Sequence, residues 1–478
     1  MIGVRQSILL FPILWLTSCS LSMSKEEQAR HFLPVPSLAE VEGVAFQKQG
    51  WPEAAWWTGY HLEELNCLVE KALANNPNLQ AAEERILLSK NENIIARAKL
   101  FPLVSFDASD DWSYLSKTGL YRALNPTIPL NAQVIDLNLS FSYEFDFWGK
   151  YRNLYKAAIG RYKAQIAEAA QVSLILSAAV AQTYFALKTN MWRQKVYQEL
   201  YEVRKHYFDL QTELLDHSIL SKLPPLLSEE AVFEAKQWLD TIEQEIAVDK
   251  HLLNTLCGQG PDTALEVSSD PLPENGALLI PSSISTELLS RRPDLMAQIW
   301  RVEALAKEVG AAKANFWPNV NLVGLLGFQT TSWSELLHWA SKTIEGIPGF
   351  TLPIYTAGRI SAEVNAKKAE FNTAVYTYND LLLKSFQQVS DLIALGRSVY
   401  DKKEQQRSIV KNASSRYLLT ELRRDQKIDN ALDSLEKQDA LLQQTLKDIE
   451  LIFEQYAISV QLTRALGGGY IAKEEPPL

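Results

Sequence analysis

Histidine, cysteine and methionine are scarce in this 478-residue chain, at six, three and four residues. The histidines (His31, His61, His206, His217, His251, His338) are scattered, with none at i, i+4 spacing from another. That excludes the two-histidine helical face of a zinc site, and no CxxC pair stands in for it. GxSxG, HExxH and P-loop patterns are missing as well, so a lipoprotein hydrolase finds no candidate nucleophile. No catalytic residue, metal or cofactor is expected. Basic charge is in deficit, with 47 Lys+Arg against 57 Asp+Glu and a net charge of −10. Without a cationic excess to displace phosphate counterions, a nucleic-acid partner is not expected.

The first residues do carry information. MIGVRQSILLFPILWLTSCS has a basic residue, Arg5, then an apolar run from Ile8 to Leu16, then small residues before Cys19. This is a signal peptide, too short to span a membrane. Leu16-Thr17-Ser18-Cys19 reads as a bacterial lipobox, which makes Cys19 the lipidated mature N-terminus. An ordinary signal peptide with a chance cysteine is the alternative. Cys67 and Cys257 remain, in the apolar helical contexts LNCLV and LLNTLCG. They can pair in an oxidising compartment, but the preferred expectation is two small buried apolar side chains.

An internal repeat organises the rest. Asn76-Pro77-Asn78-Leu79 and Arg292-Pro293-Asp294-Leu295 lie 216 positions apart, and at the same offset AKLFP (Ala98 to Pro102) meets ANFWP (Ala314 to Pro318). Further on the offset becomes 209, which sets Gly149-Lys150 on Gly358-Arg359, Asp216 on Asp425 and LCG (Leu256 to Gly258) on ALG (Ala465 to Gly467). The chain is a tandem duplication, and each unit runs helix, strand, polar loop, strand, long helical hairpin. From Gly149 to about His217 there is no proline and almost no glycine, while Ala157, Ala158, Ala164, Ala167, Ala169, Ala170, Ala178, Ala179 and Ala181 crowd together. A continuous helix of that length is about 100 Å long, too long for a globular core, so its seams must pack against other helices as coiled coils.

The strands alternate. In IDLNLSFSYEFDFWG, Ile135 to Gly149, odd positions up to Phe147 are apolar and even ones polar. Val104, Phe106, Ala108, Trp112 and Tyr114 alternate in the same way with Ser105, Asp107, Ser109, Asp111 and Ser113. Val320, Leu322, Leu326 and Phe328 give a weaker pattern that the repeat supports, and the fourth strand, around Phe350 to Tyr355, carries Pro353. Thirteen residues at about 3.3 Å each, tilted by about 45°, cover about 30 Å, the thickness of bilayer hydrocarbon. Such a strand faces lipid on one side and a wet lumen on the other. Trp112, Tyr114, Tyr143, Phe147 and Trp148 frame the pairs as at a membrane interface. Four strands cannot close a barrel, and an open edge in lipid leaves backbone groups unpaired. Closure must come from other copies: two give eight strands around a filled interior, three give twelve around a lumen, and the abundant polar positions favour three.

Four segments, WWTGYHLEELNCLVEKALANNPNLQAAEERI, YEFDFWGKYRNLYKAA, LLSRRPDLMAQIWRVEALAKEVGAAKANFWPNVNLVGLLG and TLPIYTAGRISAEVNAKKAEF, resemble TolC-family outer-membrane efflux lipoproteins of the OprM/NodT-like branch. The resemblance covers nearly all of the mature chain. It implies a mainly α fold with a membrane β contribution: a lipid-anchored homotrimer with a twelve-stranded β-barrel in the outer membrane, a twelve-helix α-barrel through the periplasm and an equatorial domain. It further implies the exit duct of a tripartite pump, partnered by a periplasmic membrane-fusion adaptor and an inner-membrane transporter of the resistance-nodulation-division type. The expected division is a signal peptide over 1–18 and a lipidated segment of the equatorial region over 19–61. A first repeat follows over 62–282, with strands at about 103–115 and 134–147 and a hairpin over 149–258. A second repeat over 283–470 has strands at about 319–330 and 347–355 and a hairpin over 358–467, before a tail over 471–478.

In this family the periplasmic hairpin tips close the duct. The candidates here are Arg423, Arg424, Asp425, Asp429 and Asn430 at the second tip and Asp216 at the first. On a three-fold axis each acidic residue becomes a ring of three like charges, which Arg423 and Arg424 are placed to offset. A polar turn that merely caps helices is the plainer reading. The first tip, Asp216 to Leu226, lacks the glycine of the family turn and contains Pro224-Pro225, which fit a helix start but not its interior. Rival functions are a duct for protein or polysaccharide export, and a periplasmic adaptor lipoprotein. The two complete hairpins argue against the adaptor.

Overall fold

The computed structural model describes residues 32–36, 47–273, 278–280 and 287–472. The signal segment, Cys19 and most of the 471–478 tail lie outside the described residues. The chain divides into two compact units: one holds Asn91–Gly160 and Val302–Val375, the other Arg161–Arg301, Tyr376 onward and the residues from Leu33 to Lys90.

Unit one is built on a four-stranded antiparallel sheet of order β2-β3-β5-β6, with β2 Leu103–Tyr114, β3 Asn131–Phe145, β5 Asn319–Thr330 and β6 Lys342–Thr351. A short helix, α3 (Leu120–Leu124), sits in the β2–β3 connection. The expected fourth strand, 347–355, is displaced: β6 begins at Lys342 and ends before Pro353. Its register is set by β5, from Phe328↔Lys342 to Asn319↔Thr351. Pro348 stands inside it, and β6 is an edge strand, where the loss of one N–H is tolerated. β3 also stops earlier than expected. Asp146 leaves the strand to accept the Tyr151 and Arg152 amides at 3.1 and 2.9 Å, closing the first turn of α4 (Lys150–Asp216).

Unit two is helical. It contains α1 (Glu63–Asn75), α5 (Leu223–Leu256), α6 (Glu287–Arg291), α9 (Ala431–Ala465) and a two-stranded parallel pair, β1 (Gln47–Gln49) with β4 (Leu278–Ile280). The division between the units falls within four helices: α2 (Pro77–Ala98), α4, α7 (Pro293–Ala314) and α8 (Arg359–Asp425). The duplication shows in their lengths, 22 residues for α2 and α7, 12 for β2 and β5, 67 for α4 and α8. Of the alanines singled out in α4, Ala157, Ala158, Ala164, Ala167, Ala169, Ala178 and Ala181 are buried, as close helix approach requires. In the core of unit two the Phe185 and Tyr456 rings stack at 4.4 Å, and Leu65, Val69 and Ala72 of α1 pack into the same cluster. That stripe explains Cys67, which is exposed rather than buried. Leu65, Leu68, Val69 and Ala72 turn one face of α1 inward, and position 67 lies off it. Cys257 is buried and both thiols are free.

The repeated Asn-Pro and Arg-Pro dipeptides now have a physical role. Each starts a helix with proline in its first turn, and the preceding side chain caps the end of a hairpin's return helix. Asn76 Nδ2 donates to the Leu256 carbonyl at 2.9 Å, and Arg292 donates from its guanidinium to the Ala465 carbonyl, also at 2.9 Å. The glycines that follow, Gly258 and Gly467, have φ of 72° and 92°, and a Cβ on them would overlap the Asn75 and Arg291 carbonyls.

Candidate functional site

The two faces of the sheet differ in chemistry. Phe106, Leu139, Leu326 and Ile344 stand directly across from one another in one row over all four strands. They are 65%, 46%, 55% and 70% exposed. Four large apolar side chains in one exposed row are unfavourable in water and favourable in hydrocarbon. On the other face Asp107 Oδ2 accepts from Ser105 and Ser140 at 3.1 and 2.7 Å, and Asp136 accepts from Gln329 at 2.9 Å. Asp107 also pairs across to Asn138 and onward to Gly327, where a Cβ would strike the Asn138 side chain. The apolar face is not uniform to its end. Asp110 sits opposite Ile135 and accepts from Gln133 at 2.8 Å and from the Trp333 indole at 3.2 Å, while Ile135 is buried. At the other end Trp148 stacks on Trp317 at 4.7 Å and donates to the Pro318 carbonyl at 2.7 Å, an amphipathic pair suited to a lipid–water boundary.

In unit two, both hairpin tips use the same helix stop. Ser218 and Lys427 have φ of 58° and 59°. The following amides, Ile219 and Ile428, bond back to Leu214 O and Arg423 O at 2.9 Å each, a Schellman motif made without glycine. Pro224 and Pro225 lie in the first turn of α5, the position a proline tolerates. At the second tip Arg423 grips Asp429 with two bonds, Nη2 to Oδ1 at 2.9 Å and Nε to Oδ2 at 2.8 Å. Arg424 holds Glu421 in the same way at 2.9 and 2.7 Å and lies 3.6 Å from Asp425. Asn430 caps α9 by accepting the Asp433 amide at 2.8 Å, and its own amide donates to Asp433 at 3.3 Å. Asp216 ends α4 in an exposed position. The structure thus brings Arg423 to Asp429 and Arg424 to Asp425, with Asn430 as a capping residue. Glu421, which begins the tip segment in the sequence and also accepts from the Ser434 hydroxyl, joins the candidates as the partner of Arg424, and Asp433 is a member of the tip that sequence reasoning passed over. The Asn430-x-x-Asp433 spacing was the available signal for the latter. Among the described residues no group of His, Cys, Asp and Glu is arranged to hold a metal ion.

Comparison with known proteins agrees with this architecture. The multidrug resistance outer membrane protein MdtQ of Shigella flexneri, a putative assignment there, is 27% identical over 470 residues, 97% of this chain and 98% of the relative. The outer-membrane channel OprN superposes with a TM-score of 0.84 at 22% identity, covering 94% of this chain and 99% of that one. The CmeC outer membrane channel of Campylobacter jejuni gives 0.82 at 22% identity, with 96% of each chain covered. The profile of outer membrane efflux proteins matches twice, at residues 68–258 and 284–468, once on each of the repeats that the paired proline caps and equal helix lengths define. With both halves matched and the TolC-like channel fold reproduced over nearly its whole length, this chain belongs to the outer membrane efflux protein family.

Proposed function

We propose that the protein is the outer-membrane duct of a tripartite efflux system, a homotrimer that passes drugs or other small molecules outward without chemical change. The observation that carries this is the four-stranded sheet, with an exposed apolar row on one face, a hydrogen-bonded polar face on the other and two open edges, β2 and β6. A sheet of that kind in lipid needs its edges paired by other copies, and three copies make a twelve-stranded barrel with a polar lumen. The substrate class follows the name of the MdtQ relative. A periplasmic membrane-fusion adaptor and an inner-membrane transporter of the resistance-nodulation-division type are the partners that the family resemblance implies. The chain itself is not an enzyme, and its part is passive. Mass measurement of the detergent-solubilised protein should give three chains per particle with the β signal intact. Monomers that keep the β signal would overturn the closure argument.

Lipidation at Cys19 belongs to the same proposal and rests on the lipobox alone. Radiolabelled fatty acid should enter the wild type and not Cys19→Ser. Equal labelling would remove the anchor from the proposal and leave the duct untouched. The periplasmic gate is assigned to the second tip, with Arg423, Arg424, Asp425 and Asp429 as its charged elements and Asn430 as the cap that fixes the start of α9. Asp216 stands at the corresponding place in the first repeat.

A further inference from the structure

A cavity of about 390 Å³ opens between α4, α5 and α9 near the hairpin turns. Its volume falls in the range of small-molecule sites. Its walls are mostly apolar, with Tyr207 on α4, Leu227 and Ala231 on α5 and Leu435 on α9. Small residues make the room: Ser228 and Ala231 follow one another by three on α5, and the Ser228 hydroxyl is turned back onto the Pro225 carbonyl at 3.0 Å.

The polar groups are unequal in what they have left to give. Arg204 is mostly committed. Its Nε donates to Asp439 at 2.8 Å, its Nη1 to the Ala231 carbonyl at 3.0 Å and towards Glu234 at 3.4 Å, and its Cζ lies 4.8 Å from the Trp238 ring centroid. Gln211 is not. It is 7% exposed, lines the cavity, and its Oε1 is buried without a hydrogen-bond partner. A buried acceptor left unmade is costly, and a donor brought by a ligand removes that cost. Glu436, on the cavity lining, adds a carboxylate whose partner is the neighbouring Lys437 at 2.8 Å, an exposed pair of little worth. One unused acceptor at Gln211, a weakly paired carboxylate at Glu436, an arginine turned onto Asp439 and two acidic groups against one basic group in the lining define the complement: an apolar or aromatic body carrying an ammonium or another N–H donor.

We propose that this cavity is a binding site for small aromatic ammonium compounds, seated between α4, α5 and α9 with the N–H donor directed to Gln211 and the positive charge near Glu436. The site is separate from the lumen-facing side chains of the sheet, and its occupancy is measured on the channel protein without adaptor or transporter. Tryptamine is a suitable probe, with 3-ethylindole as the neutral analogue and indole-3-propionate as the anionic one. Equilibrium dialysis against the full-length protein in detergent should show saturable tryptamine binding, at least fivefold tighter than 3-ethylindole, with indole-3-propionate weakest. Gln211→Leu should weaken tryptamine at least fivefold and leave 3-ethylindole within twofold. Glu436→Gln, at an exposed position where folding is not at risk, should weaken tryptamine about threefold and spare the neutral analogue, so the test survives if the Gln211 variant does not assemble. No saturable binding, a preference for the anion, or tryptamine affinity unchanged in the correctly assembled variants would overturn the proposal.

Discussion

Glu64 of α1 accepts the Ser268 amide at 3.0 Å and the Tyr184 hydroxyl at 3.0 Å, with the buried Lys188 ammonium 3.8 Å away. Burial pushes its carboxyl up, but the bonds from Ser268 and Tyr184 and the charge of Lys188 outweigh it, and the group sits below its ordinary value. A carboxylate whose folded value is depressed contributes stability that is complete above its unfolded value and is lost as pH falls through the folded one. The expected outcome is that Glu64→Gln unfolds at a lower temperature than wild type near neutral pH, and that the gap narrows as pH falls below the usual carboxylate range. A gap independent of pH in thermal scans would show that the ionised form contributes nothing. None of this was legible in the sequence, because Glu64 and Ser268 are brought together by a loop whose path no periodicity encodes. Cys67 shows the opposite limit: its apolar neighbours were visible, but the side of the helix it occupies was not. Pro224-Pro225 was limited by the sequence to a helix start rather than an interior, because proline lacks the N–H and fixes φ, and the structure has both in the first turn of α5.

At the scale of elements, the strictly alternating β2 and β3 were readable directly, β5 was readable through the repeat, and β6 was misplaced. β2 and β3 declare their faces residue by residue, whereas β6 is KTIEGIPGFT, with only Ile344 to mark an apolar face in its first half. Its true limits come from pairing with β5. The long helices were found almost to the residue because nothing in them can stop a helix, and each ends where a turn takes a left-handed residue. The row Phe106–Leu139–Leu326–Ile344 supports a quantitative expectation. A basic side chain on a lipid-facing position near mid-membrane costs about 2–4 kcal/mol, while a lumen position tolerates polar exchange. Phe106→Arg should therefore lower barrel stability in a denaturant titration in lipid vesicles by about that much, and Asp107→Asn should change it by well under 1 kcal/mol. Equal effects of the two would mean that the faces have been assigned to the wrong media.

Across the whole molecule, the duplication repeats not only elements but their fastenings: Asn76 and Arg292 cap equivalent carbonyls, and Ser218 and Lys427 make equivalent stops. The repeats diverge where the second hairpin gathers charge. The second tip has the Arg423–Asp429 and Arg424–Glu421 pairs, and its equivalent in the first repeat is the largely apolar Leu214 to Leu226 turn. Divergence within a duplicated frame is expected where the two copies do different work, and it motivates the gate assignment. Its energetics separate gating from folding. The Arg423 side chain is largely exposed, so the pair with Asp429 adds little to the stability of the isolated chain. Removing Asp429, together with Asp425, should therefore leave assembly intact. If these carboxylates hold neighbouring copies of the tip together around a three-fold axis, the same double change, Asp425→Ala with Asp429→Ala, frees Arg423, while Arg424 stays on Glu421, and sets the three copies of Arg423 against one another. The expected result in planar bilayers is a several-fold rise in resting conductance at unchanged assembly stability. Unchanged conductance in a correctly assembled double variant would reduce the tip to a helix cap and shift the gate to the proline-containing turn of the first hairpin.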